Sequence, residues 1–216
     1  MEKVTVVKVG GAIVEDSEQL AQLLKDFAAI PGKKVLVHGG GRRATKVAAA
    51  LGIESKMVNG RRITDADMLE VVTMVYGGLV NKNLVAKLQA NGVNALGLTG
   101  ADMDVIHSHK RPLKDGIDFG YVGDVERANG KMLQTLINEG ITPVMATKIL
   151  YFFNCLLDGM HTKRTYICDF SRGGWNTRLY TLVSKPCSEA TNIGSFIYCE
   201  LSLDAYANSE FILRKI

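Results

Sequence analysis

The stretch Val4–Leu20, VTVVKVGGAIVEDSEQL, decides how the rest of the chain is read. Val4–Val9 is a short run rich in β-branched side chains, the composition of a buried strand. Gly10-Gly11 follow at once. Ser17 can cap a helix whose Leu20, Leu23, Leu24 and Phe27 recur at i, i+3, i+4 and i+7. The odd residue is Lys8. A strand ending Lys8-Val9-Gly10-Gly11 sets an ammonium at the carboxyl edge of a parallel sheet, where open α/β sheets bind ligands. Glycines lack Cβ atoms, so backbone N–H groups there can approach an anion closely. Lys8 therefore either snorkels its charge out of the strand end or presents it to phosphate.

The next unit repeats the pattern. Pro31-Gly32 ends the first helix, Val35-Leu36-Val37 is a second buried strand, and VLVHGGGRRAT runs from strand through glycines into a helix. That helix, Arg42 to Leu51, carries Ala44, Val47, Ala48 and Leu51 on one face. Two βα units in series predict a parallel sheet covered by helices. Two glycine turns after neighbouring strands face one crevice, and the pair is read as an anion or phosphate site. Arg42 and Arg43 are either part of it or the solvated first turn of a helix.

Beyond this, Asn59-Gly60 between short β-like arms in SKMVNGRRIT predicts a hairpin. Thr64 with Asp67 resembles a capping box opening a long helix, with Met68, Val72, Val75 and Leu79 inward. Gly77-Gly78 inside it suggests close helix packing, because each glycine costs about 1 kcal/mol there relative to Ala. Strands are expected at Val93–Leu98, Val105–His109, Gly120–Val125 and Ile141–Ala146, and a helix at Lys131–Glu139. Asp102 and Asp104 are read as loop-solvating carboxylates rather than a metal pair, and His38 as structural rather than a base.

The totals exclude several classes. The 216 residues are 47% hydrophobic and carry a net charge of +4, with the positive residues dispersed, which argues against a nucleic-acid partner. No apolar run approaches the roughly 18 residues of a membrane span, and MEKVTVV shows no signal-peptide pattern. A cytoplasmic protein without a membrane partner is expected. The four cysteines, Cys155, Cys168, Cys187 and Cys199, form no CxxC pair and are read as reduced thiols. No Walker A motif is present. Gly39-x-Gly41-x-x-Ala44 fits the dinucleotide fingerprint, but it follows the second strand and lacks the acid expected about 20 residues on. A dinucleotide-dependent oxidoreductase is kept as an alternative. His38-Gly39-Gly40-Gly41 mimics an esterase oxyanion loop, yet no GxSxG supplies a nucleophile.

Taken in order, VVKVGGAIV, VLVHGGGRRAT, VNGRRIT, NALGLTGADM and GYVGDVERAN resemble the N-terminal half of the amino acid kinase family, over residues 1–146. VNGRRIT after HGGG points to its acylglutamate branch. The resemblance implies a three-layer α/β/α sandwich with a mainly parallel sheet. It also implies ATP-dependent phosphorylation of the side-chain carboxylate of an N-acyl-L-glutamate, within arginine biosynthesis. Lys8 matches the catalytic lysine that stabilises the transferring phosphoryl group. Gly10 and Gly11 match the turn at the ATP phosphates, Gly40 and Gly41 the turn that holds substrate, and Arg62 the arginine on an acylglutamate carboxylate. ATP and Mg²⁺ are the implied cofactors. A homodimer through the helix containing Gly77-Gly78 is the implied assembly, and no metal ligands are assigned to the protein itself.

After Ala146 the character changes. All four cysteines, the only tryptophan, five of seven tyrosines and five of seven phenylalanines lie there, with only four of 22 glycines. ILYFF, TYICDF, LYTLVS and SFIYCELSL favour strand. The family's Asn-x-Asn-Ala-Asp and Gly-Gly-Met-x-x-Lys segments are not found between Thr147 and Ile216. Two segments are expected: an N-terminal acylglutamate-binding domain over 1–146, and a divergent tail over 147–216. A rearranged reading frame would produce such a junction. In that case the chain would be an acylglutamate-binding remnant without catalysis; the alternative is a genuine divergent tail that still closes over ATP.

Overall fold

The computed structural model describes residues 3–146 and three later strands, with side chains described over 4–146. The strands are β1 (Lys3–Val9), β2 (Lys33–His38), β3 (Met57–Val58), β4 (Arg61–Arg62), β5 (Ala95–Leu98), β6 (Ile106–Lys110), β7 (Val122–Ala128), β8 (Thr142–Ala146), β9 (Lys148–Phe153), β10 (Arg164–Asp169) and β11 (Phe196–Ser202). The helices are α1 (Gly11–Glu15), α2 (Ser17–Ala29), α3 (Gly41–Ala50), α4 (Ala66–Val72), α5 (Asn81–Ala90) and α6 (Gly130–Asn138). An eight-residue π-helix, Thr73–Val80, joins α4 to α5.

The main sheet runs β11-β1-β2-β8-β5. β1, β2, β8 and β5 are mutually parallel, and β11 pairs antiparallel with β1. Side-chain alternation sends Val7, Val9, Leu36, Val144 and Ala146 to one face, against α2 to α5. Val4, Val35 and Met145 go to the other, against Leu133 and Ile137 of α6. The result is the expected three-layer α/β arrangement. A second, mixed sheet runs β6-β7-β10-β9. The expected strands at ILYFF, TYICDF and SFIYCELSL coincide with β9, β10 and β11. LYTLVS lies outside the described residues, as do the cysteine side chains. Among the described residues no helix is long and apolar enough to cross a membrane.

Several local expectations are corrected. Asp16, not Ser17, caps α2, accepting from the backbone N–H of Glu18 at 3.1 Å and of Gln19 at 3.0 Å. The residues before Ser17 already form α1, so the cap falls at the extended break between the two helices. Asp65, not Thr64, caps α4, accepting from Met68 N–H at 2.9 Å. Thr64 is instead buried, bonded through its backbone to Phe119 and Tyr121. Leu51 and Leu79, expected inward, are exposed. Leu51 lies one residue beyond the end of α3. Leu79 is turned out because the π-helix winds more slowly than an α-helix and hands its inward place to Val80. Close packing within the chain does not explain Gly78, since a Cβ there would meet nothing within 4 Å.

Candidate functional site

The site forms where β1 and β2 end side by side. Their register pairs Lys8 with Val37 and Val9 with His38, so the two glycine turns emerge at the same level. Gly39 N–H donates to Val9 O at 3.1 Å, stitching the turns together. A Cβ on Gly39 would lie 3.5 Å from Gly11 N, and one on Gly11 would lie 4.0 Å from Gly41 N. The two backbones approach this closely because no side chains stand between them. Gly11 and Gly41 open α1 and α3, so both turns present helix N-terminal N–H groups to the same crevice.

Tyr76 underlies the second turn. It is buried in the π-helix, and Cβ atoms on Gly40 and Gly41 would stand 3.4 Å from its ring and 3.2 Å from its hydroxyl. Asn59 (φ 49°) and Gly60 (φ 74°) form the expected tight turn between β3 and β4, which delivers Arg62 to the site. Arg62 is 5% exposed. Its Nη2 donates to Gly41 O at 3.3 Å and Thr45 Oγ1 at 2.8 Å. Its Nη1 donates to Ser55 Oγ and lies 3.8 Å from Met68 Sδ.

The structure therefore brings Gly10, Gly11, Gly40, Gly41 and Arg62 into one constellation. Lys8 sits two residues before Gly10, half-buried at the strand end, on the face it shares with Val4 and Val6. Arg42 and Arg43 are exposed on the first turn of α3.

His38 is fully buried. Its Nε2 lies 3.0 Å from Asn81 Nδ2, which also donates to Val144 O at 2.9 Å, and its Nδ1 lies 3.1 Å from Gly39 O. The bonding suits the neutral tautomer with Nδ1 as donor and Nε2 as acceptor. Burial pushes the imidazole pKa down to about 4, opposed by the bond to Gly39. His38 thus braces the second turn from within the core.

Asp102 accepts from the Thr99 hydroxyl at 2.7 Å. Asp104 pairs with His107 at 3.0 Å and Arg127 at 2.6 Å. Both carboxylates have loop and hairpin partners.

Sequence reasoning missed Tyr76, Asn81, Thr45 and Ser55. Tyr76 and Asn81 carried a signal. Met68, Val72, Tyr76, Val80, Leu84 and Leu88, all buried, recur every fourth residue. An α-helix drifts about 40° per four-residue step, so that spacing demands a wider turn. Once Val80 is inward, Asn81 beside it is a buried polar group needing partners. Thr45 and Ser55 carried no signal in their local sequence.

A profile of the Amino acid kinase family matches residues 3–152. Acetylglutamate kinase of Bacteroides thetaiotaomicron is 72% identical over 145 residues, covering 67% of this chain and 56% of that protein. That of Parabacteroides distasonis is 69% identical over 146 residues, covering 68% and 57%. That of Methanopyrus kandleri is 44% identical over 144 residues, covering 65% and 56%. The chain spans a little over half the length of these curated relatives. Among solved structures, smu.665 from Streptococcus mutans gives a TM-score of 0.57 at 25% identity, covering 76% of this chain and 62% of that one. N-acetylglutamate synthase from Neisseria gonorrhoeae gives 0.59 at 20% identity, covering 77% and 36%, a likeness of fold. The curated relatives named are kinases, so the dinucleotide alternative is not favoured.

Proposed function

The chain belongs to the amino acid kinase family, and from that premise we propose that it phosphorylates the side-chain carboxylate of an N-acyl-L-glutamate with ATP. The carboxylate oxygen attacks the γ-phosphorus, the bond from phosphorus to the bridging oxygen of ADP breaks, and an acyl phosphate and ADP result. A carboxylate is already nucleophilic, so no general base is needed, and a fully buried His38 is in keeping with that. Catalysis then rests on positioning and on charge stabilisation at the phosphoryl oxygens. In this reading Lys8 supplies the positive charge and the Gly10-Gly11 turn meets the ATP phosphates. The Gly40-Gly41 turn and Arg62 hold the substrate. Arg62 would take the carboxylate that does not react, because a guanidinium clamped on the nucleophile would dull it.

The observation that carries this reading is the pair of glycine turns packed backbone to backbone, with Arg62 bonded to Gly41 O. Among the described residues no group of three or more His, Cys, Asp or Glu side chains could hold a metal ion. Mg²⁺ would enter with ATP, held chiefly by its phosphates, and would neutralise part of their charge. The homodimer is supported by Met74 and Leu79, exposed beside the open surface at Gly78. Sedimentation velocity reads it directly, with twice the chain mass expected.

The test of the activity is hydroxylamine trapping. Folded full chain with Mg-ATP and N-acetyl-L-glutamate is expected to yield hydroxamate above the blank, lost in Lys8→Ala. Acylglutamate binding with no hydroxamate would mean that the chain holds substrate without building an ATP site.

A further inference from the structure

We propose that Thr45 and Ser55 are positioning residues that fix the Arg62 guanidinium against the Gly41 turn and so set the affinity for the substrate's unreactive carboxylate. The inference rests on the acylglutamate reading and deepens it.

Each hydroxyl uses both of its capacities. Thr45 Oγ1 accepts from Arg62 Nη2 at 2.8 Å and donates to Gly41 O at 3.0 Å, one helical turn back. Arg62 Nη2 also donates to Gly41 O at 3.3 Å. Guanidinium, hydroxyl and turn carbonyl therefore close a three-membered ring of hydrogen bonds. On the other side Ser55 Oγ accepts from Nη1 and donates to Met68 Sδ at 3.5 Å.

The two hydroxyls stand on separate elements, Thr45 on α3 and Ser55 in the loop before β3. Two anchors on a planar group define its orientation, where one would leave it free to swing. A carboxylate gains most from a guanidinium held in one orientation, so orientation translates into affinity. Thr45 is exposed while Arg62 is buried, so Thr45 stands at the mouth of the site and Arg62 behind it.

Calorimetric titration of the full chain with two ligands separates this role from a general structural one. N-acetyl-L-glutamate carries both carboxylates, whereas 4-acetamidobutyrate keeps the acetamido group and the reacting carboxylate only. Thr45→Val removes the hydroxyl at nearly constant shape. It is expected to weaken N-acetyl-L-glutamate about tenfold, the scale of one hydrogen bond to a charged group. Binding of 4-acetamidobutyrate should be unchanged, and Thr45→Ser should restore the glutamate affinity. Ser55→Ala should follow the same ligand pattern. Equal losses on both ligands, or no loss on either with the thermal midpoint preserved, would overturn the inference while leaving the acylglutamate reading intact. Failure of the unmodified chain to bind N-acetyl-L-glutamate would overturn that reading and this inference with it.

Discussion

His38 shows how one buried residue ties the site to stability. Its imidazole is closed off from water and bonded to Asn81 and the Gly39 carbonyl. Its folded pKa is lowered to about 4 from an ordinary value of 6.5. Between those values the unfolded chain binds a proton that the folded chain does not. The His38 contribution is therefore complete above the unfolded pKa and is lost as pH falls through the window toward 4. The urea midpoint is expected to drop from pH 7 to pH 5, and His38→Gln should flatten that drop. An equal drop in the variant would assign the effect to other groups. Asn81 extends the brace. Its amide lies so close to Gly97 of β5 that a Cβ there would collide with Asn81 Oδ1. Only glycine lets the helix side chain reach between the strands at that point.

Helix phase is settled at the scale of elements. Asp16 caps α2 from the break after α1, so Asp16→Ala should lower the thermal midpoint and Ser17→Ala should leave it nearly unchanged. The π-helix resets the face of the long α4-to-α5 run and places Tyr76 under the second glycine turn. Val80 is 5% exposed and Leu79 40%. Val80→Ala is therefore expected to cost about 2 kcal/mol in chemical denaturation, and Leu79→Ala far less. A regular α-helix through this segment would reverse that order. The hairpin, by contrast, follows from its own two residues, because Asn59 and Gly60 both tolerate positive φ.

At the scale of the whole molecule, distant segments close around the site. Thr64 N–H donates to Phe119 O at 3.0 Å, and Tyr121 N–H to Thr64 O at 2.8 Å. This clips the Arg62 segment to the chain just before β7. Gly120 (φ 70°) lets the backbones meet, since any Cβ there would run into the Thr64 carbonyl. On the far edge, β11 covers β1 along its full length, from Lys3 opposite Ser202 to Val9 opposite Phe196. A chain ended at Ala146 would expose that strand edge, an invitation to edge-to-edge pairing. Light scattering is expected to show self-association of the truncated chain at concentrations where the full chain stays disperse. A disperse truncated chain would show that residues 1–146 stand alone.

By itself the sequence determined the βα units, the parallel sense of the sheet, the hairpin and the two glycine turns that end side by side. Those features rest on local rules: β-branched runs, helical periodicity, and glycines wherever side chains would block a turn. The same local chemistry marked Lys8 and the two glycine turns, whereas Arg62 was named only by the family resemblance. Only the tertiary structure decided which neighbour caps each helix, how a π-turn shifts the inward face, and how Asn81 reaches His38. It alone brought Thr45 and Ser55 to the same guanidinium from separate elements. The physical reason is that a hydrogen bond between segments far apart in the chain leaves no periodicity behind, and exists only once packing has brought its two ends within about 3 Å.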